Sequence, residues 1–366
     1  MKILVISLAG SGDTLIATPL MQELRMIYPD AVLDVFVLWA GARDLLEGNP
    51  HVNSVFQRNL MKGGKWGSLK FLWSLRRRRY DVSINTHPQS KIHYRIVARI
   101  INARMRISHN YHQSEWLRRC LGDYTLPQDY EQHSVENTLR LLKFLNVNPV
   151  LPRHQYELFL SPSELAWAEA FLAERNLGGR KRFGFHVGSS DTKNLALRRW
   201  PVERFVDLIQ RLNLRHPELA ILLFGGPEEE KLHEQILART SRQQVFPVKS
   251  ANFRQSAALL RACDMVISGD TSIMHLAAAV KVPKQFVLET PTFYKPNYPY
   301  NQPFVLIHNP GVGGRNLEYY LYDGRGIRGT DEEIKRCMAS ITVDSVYEAL
   351  RSACPFLQES SPSVQR

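Results

Sequence analysis

Apolar positions along this chain switch repeatedly between two patterns. The run Ile3-Leu4-Val5-Ile6 is continuous, whereas Leu15, Ile16, Leu20, Leu24 and Ile27 recur every three or four residues after a short polar loop. A β-branched-rich run fits a strand, and the longer spacing fits a helix with one apolar face. The alternation predicts strands at 2–8, 32–38, 52–57, 81–86 and 104–108, with helices at 14–28, 66–79 and 134–145. A second series begins near 163. Its strands fall at 183–187, 220–224, 244–248, 265–268 and 285–288, and its helices at 202–215, 229–239, 255–263 and 272–280. Strand–helix alternation implies α/β architecture, a parallel sheet with helices on both faces. The chain therefore divides into two Rossmann-like doubly wound domains, 1–155 and 163–340, followed by a helix and frayed tail at 341–366. The Pro-punctuated stretch 148–163 is expected to link them. Two such domains would face a cleft, with the carboxyl ends of their strands turned toward it.

Length agrees with two cores rather than one, at 366 residues. No apolar run reaches the roughly 18 residues of a spanning helix, and the N-terminus reads as a first strand rather than a signal peptide. Four scattered cysteines, Cys120, Cys263, Cys337 and Cys354, form no CxxC pair, which fits reduced cytosol and no disulfide framework.

Charge changes the picture more. The net charge is +12. Residues 60–120 hold 14 Lys plus Arg against Asp81 and Glu115, so this segment carries the whole excess and the remainder is neutral. A localised basic field implies an anionic partner.

Candidate chemistry clusters where predicted strands end. After the first strand comes Gly10-Ser11-Gly12-Asp13-Thr14. The glycines would permit a tight turn with positive φ. Asp13 fits a helix cap or a general base exposed to the cleft, and Leu15 in the third glycine position weakens a dinucleotide fingerprint. Gly269-Asp270-Thr271-Ser272 opens a helix with His275 one turn in. The free N–H groups of such a turn suit a phosphate, although Asp and Thr also serve as ordinary caps. His186-Val187-Gly188-Ser189-Ser190 leads toward Lys193 and Arg198-Arg199-Trp200-Pro201, where hydroxyls and cations could grip a diphosphate. Gly225-Gly226 precedes Glu229, which could accept from a ribose hydroxyl or answer the helix dipole. In the basic segment, Trp66, Leu69, Leu72 and Trp73 recur at helical spacing among Lys62, Lys65, Lys70 and 76–79. The tryptophans are expected in the core and the cations, Arg76 among them, on a partner.

Taken in order, these pieces resemble glycosyltransferase family 9, the ADP-heptose:lipopolysaccharide heptosyltransferases. Gly12-Asp13, Thr18-Pro19 and Leu24-Arg25 are similar to the family's opening signature. Arg198-Arg199-Trp200-Pro201 is similar to its Lys/Arg-x-Trp-Pro element, Gly269-Asp270-Thr271 with 274–278 to its donor signature, and Cys337-Met338 with Ile341 to its closing segment. Ser272 stands where the family usually has Gly, and Glu289-Thr290-Pro291-Thr292 replaces a usual Gly-Pro-Thr. The resemblance implies a GT-B fold and an inverting, metal-independent transfer of heptose from ADP-heptose, with no cofactor. Asp13 is then the base. Ser189, Ser190, Lys193, Arg198, Glu229, Asp270, Thr271, Ser272 and His275 hold the donor. Gly12, Lys62, Lys65 and Arg76 meet an anionic lipopolysaccharide inner-core acceptor. A monomer in the cytoplasm, peripheral at the inner face of the cytoplasmic membrane, follows from that role. The absence of an Asp-x-Asp motif agrees with metal independence. A nucleic-acid-binding protein would use the same basic patch, but the sequence offers it no clear stacking platform or recognition helix.

Overall fold

The structure is a computed structural model. It describes the chain apart from residues 63, 87–91, 111–115, 117–119, 122–123, 190–191, 292–296, 314–328 and 359–366, and apart from the side chains of 192–194. The expected frayed tail lies almost entirely outside the described residues.

The chain forms two compact units, Met1–Ser161 with Lys295–Asn301, and Pro162–Tyr294 with Gln302–Arg366. In the first, the order is β1 (Lys2–Ser7), α1 (Ser11–Ile16), α2 (Thr18–Ile27), β2 (Val32–Val37), α3 (Ala40–Leu45), β3 (Ser54–Gln57), α4 (Lys65–Arg77), β4 (Val82–Asn85), α5 (Ile92–Ile101), β5 (Met105–Asn110), β6 (Tyr124–Pro127) and α6 (Ser134–Leu139). The six strands are parallel and lie in the order β3-β2-β1-β4-β5-β6. Leu4, Ile6 and Phe36 from the sheet pack with Leu72 and Leu75 of α4 and with Val97, Ala98 and Ile101 of α5.

The single helix expected at 14–28 is two, divided at Ala17, because Pro19 suits a first turn and starts α2 afresh. The stretch expected to link the halves is tied to the first unit. Buried Glu23 of α2 accepts hydrogen bonds from the N–H groups of Val150 and Leu151, each at 2.8 Å, and pairs with His154 at 2.6 Å. A later segment also belongs to this unit. Ser134 Oγ donates to Asn297 Oδ1 at 2.6 Å, and the Tyr300 hydroxyl donates to Glu136.

The second unit contains α7 (Pro162–Glu174), β7 (Arg182–His186), α8 (Val202–Arg215), β8 (Ala220–Phe224), α9 (Glu230–Leu237), β9 (Val245–Pro247), α10 (Phe253–Leu260), β10 (Met265–Ser268), α11 (Ser272–Ala279), β11 (Gln285–Leu288), β12 (Phe304–Ile307), α12 (Asp331–Ala339) and α13 (Val343–Ala353). Its parallel order, β12-β11-β10-β7-β8-β9, repeats that of the first unit. The core joins Phe183, Phe185, Ile221, Leu223 and Ile267 to Phe205, Ile209 and Leu212 of α8 and to Val346, Tyr347 and Leu350 of α13. The C-terminal helix is thus core material.

In each sheet the winding reverses once, between β1 and β4 and between β7 and β10. Loops leaving the two strands at such a reversal diverge and leave a crevice, the standard ligand position in doubly wound sheets.

Candidate functional site

In the second unit the crevice is lined by both loops at the reversal. His186, Val187, Gly188 and Ser189 come from the end of β7, and Gly269, Asp270 and Thr271 from the end of β10. Arg198, Arg199 and Trp200 close one side, with Leu288, Thr290 and Met338 beyond. The space is about 290 Å³, its opening to solvent included.

Two guanidinium groups organise this pocket. Arg198 donates from Nη2 to Asp270 Oδ2 at 2.8 Å and to Thr290 Oγ1 at 3.0 Å. Its side chain is 9% exposed and that of Asp270 21%, so the pair is shielded from bulk water without being sealed. Arg199 donates to the carbonyl of Ser189, from Nε at 3.1 Å and also from Nη2, and thereby fixes the β7 loop. The Ser189 hydroxyl turns back to the Leu195 carbonyl at 2.6 Å. Trp200, the residue after Arg199, is buried. Its Nε1 donates to the Ile341 carbonyl at 2.9 Å, and its ring meets Phe205 edge-on at 4.8 Å.

Helix α11 begins in the pocket. Thr271 is its N-cap but makes no side-chain cap bond. Its hydroxyl instead lies 3.4 Å from His186 Nδ1. The first turn therefore presents N–H groups and the positive end of the helix dipole toward the crevice, a setting for phosphate. Burial lowers His186 to about 3, helped by the positive charges of His233 and Arg199. Burial also lowers His275 to about 4, against the opposing pull of Asp270. Both rings are neutral near pH 7.

Of the residues expected at the donor, Ser189, Arg198, Asp270 and Thr271 line one pocket. Ser272 is the first residue of α11, and His275 is buried inside that helix, not on the pocket wall. Glu229 ends a short 3-10 turn, where its Oε2 accepts the Gly226 N–H at 2.8 Å. It also packs on Gly188: a Cβ there would fall 2.1 Å from Glu229 Cγ, so only glycine fits. Glu229 Oε1 lies 3.9 Å from Arg199 and touches the site through it. Ser190 and the side chain of Lys193 lie outside the described residues. The site expectation omitted His186, Arg199 and Thr290. All three stand in motifs already noted, Thr290 in the Glu289-Thr290-Pro291-Thr292 stretch after β11, which lies across from Gly269.

In the first unit Asp13 sits at the reversal after β1. It is the third residue of α1, and its Oδ2 accepts the Gly10 N–H at 2.7 Å. Gly10 has φ −70°, and neither it nor Gly12 has positive φ, so the expected left-handed turn is absent and the helix simply starts at Ser11. Gly12 is buried. Burial, and next the charge of Asp13, raise the Tyr94 phenol, which puts α5 beside this loop.

The basic segment departs from expectation at the tryptophans. Trp66 is 84% exposed and Trp73 48%, whereas Leu72 and Leu75 turn inward. Leucines placed on the sheet side fill the space under α4 and leave the larger rings outside. Lys62 and Lys65 are exposed, and Arg76 donates to the Ile100 carbonyl at 3.1 Å while lying 5.1 Å from the Trp73 ring. Among the described residues there is no cluster of three or more His, Cys, Asp or Glu that could hold a metal, and no helix long and apolar enough to cross a membrane.

Residues 68–301 match glycosyltransferase family 9 (heptosyltransferase). Lipopolysaccharide heptosyltransferase 3 of Escherichia coli is 26% identical over 281 residues, 74% of this chain and 78% of that protein. The crystal structure of the glycosyl transferase family 9 from Veillonella parvula DSM 2008 superposes with TM-score 0.76 at 19% identity, over 98% of both chains. That of E. coli ADP-heptose LPS heptosyltransferase II superposes with TM-score 0.69 at 21% identity, over 98% of this chain and 100% of that one. The two repeated parallel sheets and these likenesses make the fold GT-B. With well over half of its length matched by the family, the chain is a glycosyltransferase and belongs to glycosyltransferase family 9, the heptosyltransferase family.

Proposed function

We propose that the protein transfers a heptose from ADP-heptose to an anionic lipopolysaccharide inner-core acceptor, by single displacement with inversion and without a metal. The observation that carries this reading is the crevice at the β7/β10 reversal. There Arg198, Ser189 and the N–H groups that open α11 converge on a space suited to a diphosphate. Asp270 orients Arg198 and is available to the donor's sugar hydroxyls. The names of the similar E. coli proteins, one of them an ADP-heptose enzyme, support the donor and acceptor assigned here.

The acceptor hydroxyl is a weak nucleophile until its proton leaves. Asp13 takes that proton as the oxygen attacks the anomeric carbon. The new C–O bond forms on the face opposite the breaking bond to phosphate, ADP departs with the bond electrons, and the anomeric configuration inverts. Charge developing on the diphosphate is met by Arg198 and the α11 N–H groups, with Lys193 a further candidate. Protein cations at the leaving group, together with the lack of an Asp-x-Asp sequence, favour a reaction without a divalent ion. Lys62, Lys65 and Arg76 attract the phosphorylated acceptor. The protein works as a cytoplasmic monomer, peripheral at the inner face of the cytoplasmic membrane.

The test pairs binding with turnover. ADP at 100 times its dissociation constant should stabilise the protein by roughly 2.7 kcal/mol. UDP, NAD and a short DNA duplex should do much less. ADP-heptose with a truncated inner-core glycolipid should yield a glycolipid one heptose heavier by mass spectrometry. Stabilisation by UDP, NAD or DNA in place of ADP, or no heptosyl product, would overturn the reading.

A further inference from the structure

Helices α4 and α5 leave an outward apolar surface to which the reaction above gives no role, beside the cations it assigns to the acceptor. Their inner faces are occupied by the sheet: Leu72 and Leu75 from α4, and Val97, Ala98 and Ile101 from α5, are buried there. Arg76 joins the two helices through the Ile100 carbonyl. On the other side Trp66, Leu69 and Trp73, one helical stripe, are 84%, 43% and 48% exposed. Met61, just before α4, is 69% exposed, and Ile96 of α5 is 44% exposed. Lys62, Lys65, Lys70 and Arg77 in or just before α4, and Arg99 in α5, are exposed as well. From 60 to 110 the one acid in the sequence is Asp81. It is engaged at the start of β4 by the Lys2 N–H at 2.8 Å and by Arg104 at 3.3 Å.

Scattered exposed apolar residues need no explanation, but two indoles and three aliphatic side chains in one basic field form a patch that calls for a partner. The charge and the aliphatic members select among partners. A second copy of the chain would bring one positive surface against another, which opposes association. A nucleic acid would satisfy the cations and could stack on the indoles, yet Met61, Leu69 and Ile96 offer no ring face to a base. An anionic bilayer satisfies all three features. Its headgroups meet the cations, its interfacial zone accepts indoles, and its outermost acyl layer takes the aliphatic side chains.

We propose that the outer face of α4, with Met61 and Ile96, docks directly on an anionic phospholipid bilayer. Trp66, Leu69 and Trp73 enter the interface, and no glycolipid acceptor is required. This deepens the reading of a peripheral membrane enzyme and rests on it for its setting, while naming the surface and the lipid class.

The full chain is tested by sedimentation with phosphatidylcholine vesicles, with or without phosphatidylglycerol and free of any glycolipid. It should bind the anionic vesicles and far less the neutral ones. Bromine-labelled acyl chains should quench its tryptophan fluorescence. A Trp66→Ser, Trp73→Ser double variant should lose at least about tenfold in vesicle affinity, each indole carrying a large share of the buried apolar area, while its ADP-induced thermal stabilisation stays unchanged. Leu69→Glu, a single exposed change, should weaken binding as well. Three results would overturn the proposal: no binding to anionic vesicles without glycolipid, equal binding by the double variant, or a wild-type dimer that the double variant disperses. The vesicle arm contains neither donor nor acceptor, so its outcome is separate from any failure of heptosyl transfer.

Discussion

The same tripeptide, Gly-Asp-Thr, follows a strand at the winding reversal of both units, yet the two copies are put to different uses. In Gly12-Asp13-Thr14 the helix has already begun at Ser11, so Asp13 lies inside its first turn and its carboxylate folds back on the Gly10 N–H at 2.7 Å. In Gly269-Asp270-Thr271 the helix begins only at Ser272, and Asp270 precedes it. Its carboxylate reaches outward to Arg198 at 2.8 Å. Where the helix starts relative to the tripeptide therefore decides what the acid can do. One accepts a hydrogen bond from a backbone amide of its own turn. The other is committed to a guanidinium and sets the position of a cation. Thr14 and Thr271 diverge similarly: the first lies 3.3 Å from Ser7 Oγ, at the end of the strand that precedes it, and the second faces His186, on the neighbouring strand.

The largest effect should come from Asp13, proposed above as the proton acceptor. Asp13→Asn keeps an oxygen for the Gly10 N–H, so the helix start should lose no more than about 1 kcal/mol. Loss of a general base should lower kcat by roughly 10²- to 10⁴-fold, or about 3 to 5 kcal/mol at the transition state. ADP affinity should not change. A near-normal kcat would reduce Asp13 to a capping residue.

A smaller effect, on binding rather than rate, should follow from Asp270→Ala. Arg198 would keep its bond to Thr290 but lose its carboxylate anchor in a setting with little water to replace it. Its guanidinium would then be poorly held for the diphosphate. Calorimetry should show ADP bound about ten- to a hundredfold more weakly, roughly 1.4 to 2.7 kcal/mol, with the fold retained. Unchanged or tighter ADP binding would mean that Asp270 competes with the phosphates for Arg198 rather than orienting it.

Much of this architecture was legible in the sequence because parallel strands buried on both faces are written as continuous apolar runs. Ala220–Phe224, Met265–Ser268 and Gln285–Leu288 were expected at the bounds they occupy. Edge strands were harder. Tyr124–Pro127 and Phe304–Ile307 each pair on one side only; the first is Tyr-Thr-Leu-Pro, with little apolar content, and the second is apolar but only four residues long. Helix α5, Ile-His-Tyr-Arg-Ile-Val-Ala-Arg-Ile-Ile, is not among the expected helices; it is mostly apolar and its inward face includes the buried Arg95, which breaks the apolar spacing. At the site, motif residues at strand ends were visible, but their hydrogen-bond partners were not. Nothing local tells Asp270 to face Arg198, 72 residues away, or Thr290, 92 residues from Arg198, to join them. The tryptophans of α4 failed for a related reason. Helical spacing identifies a stripe, but Leu69, Leu72 and Trp73 belong to overlapping stripes, and only the packing of Leu72 and Leu75 decides which one turns inward.

The two units should also part company in acid, an effect absent at neutral pH. In the second, burial lowers His275 to about 4 and His186 to about 3, and lowers His233 as well. In the first, burial lowers His109 to about 4, with the charge of Arg140 adding to it. Unfolded, each ring would titrate near 6.5. Above that pH neither state binds the proton, and the stability of the neutral buried rings is fully present. As the pH falls from 6.5 toward about 4, the unfolded chain takes up a proton that the folded one refuses. Stability drops by as much as about 1.4 kcal/mol per pH unit for each ring, and the loss levels off below the folded values. His186 and His275 together should give the second unit the steeper decline. Amide exchange corrected for intrinsic rates should show protection in β7, β8 and β10 falling more between pH 6.5 and pH 5 than in β1 and β4, by up to about tenfold per pH unit for each lowered ring the second unit holds beyond the first unit's one. Replacing His275 with Gln should bring the two slopes closer. Equal slopes in the wild type, or a steeper one in the first unit, would show that carboxylates such as the buried Glu23, bonded to Val150, Leu151 and His154, govern acid sensitivity instead.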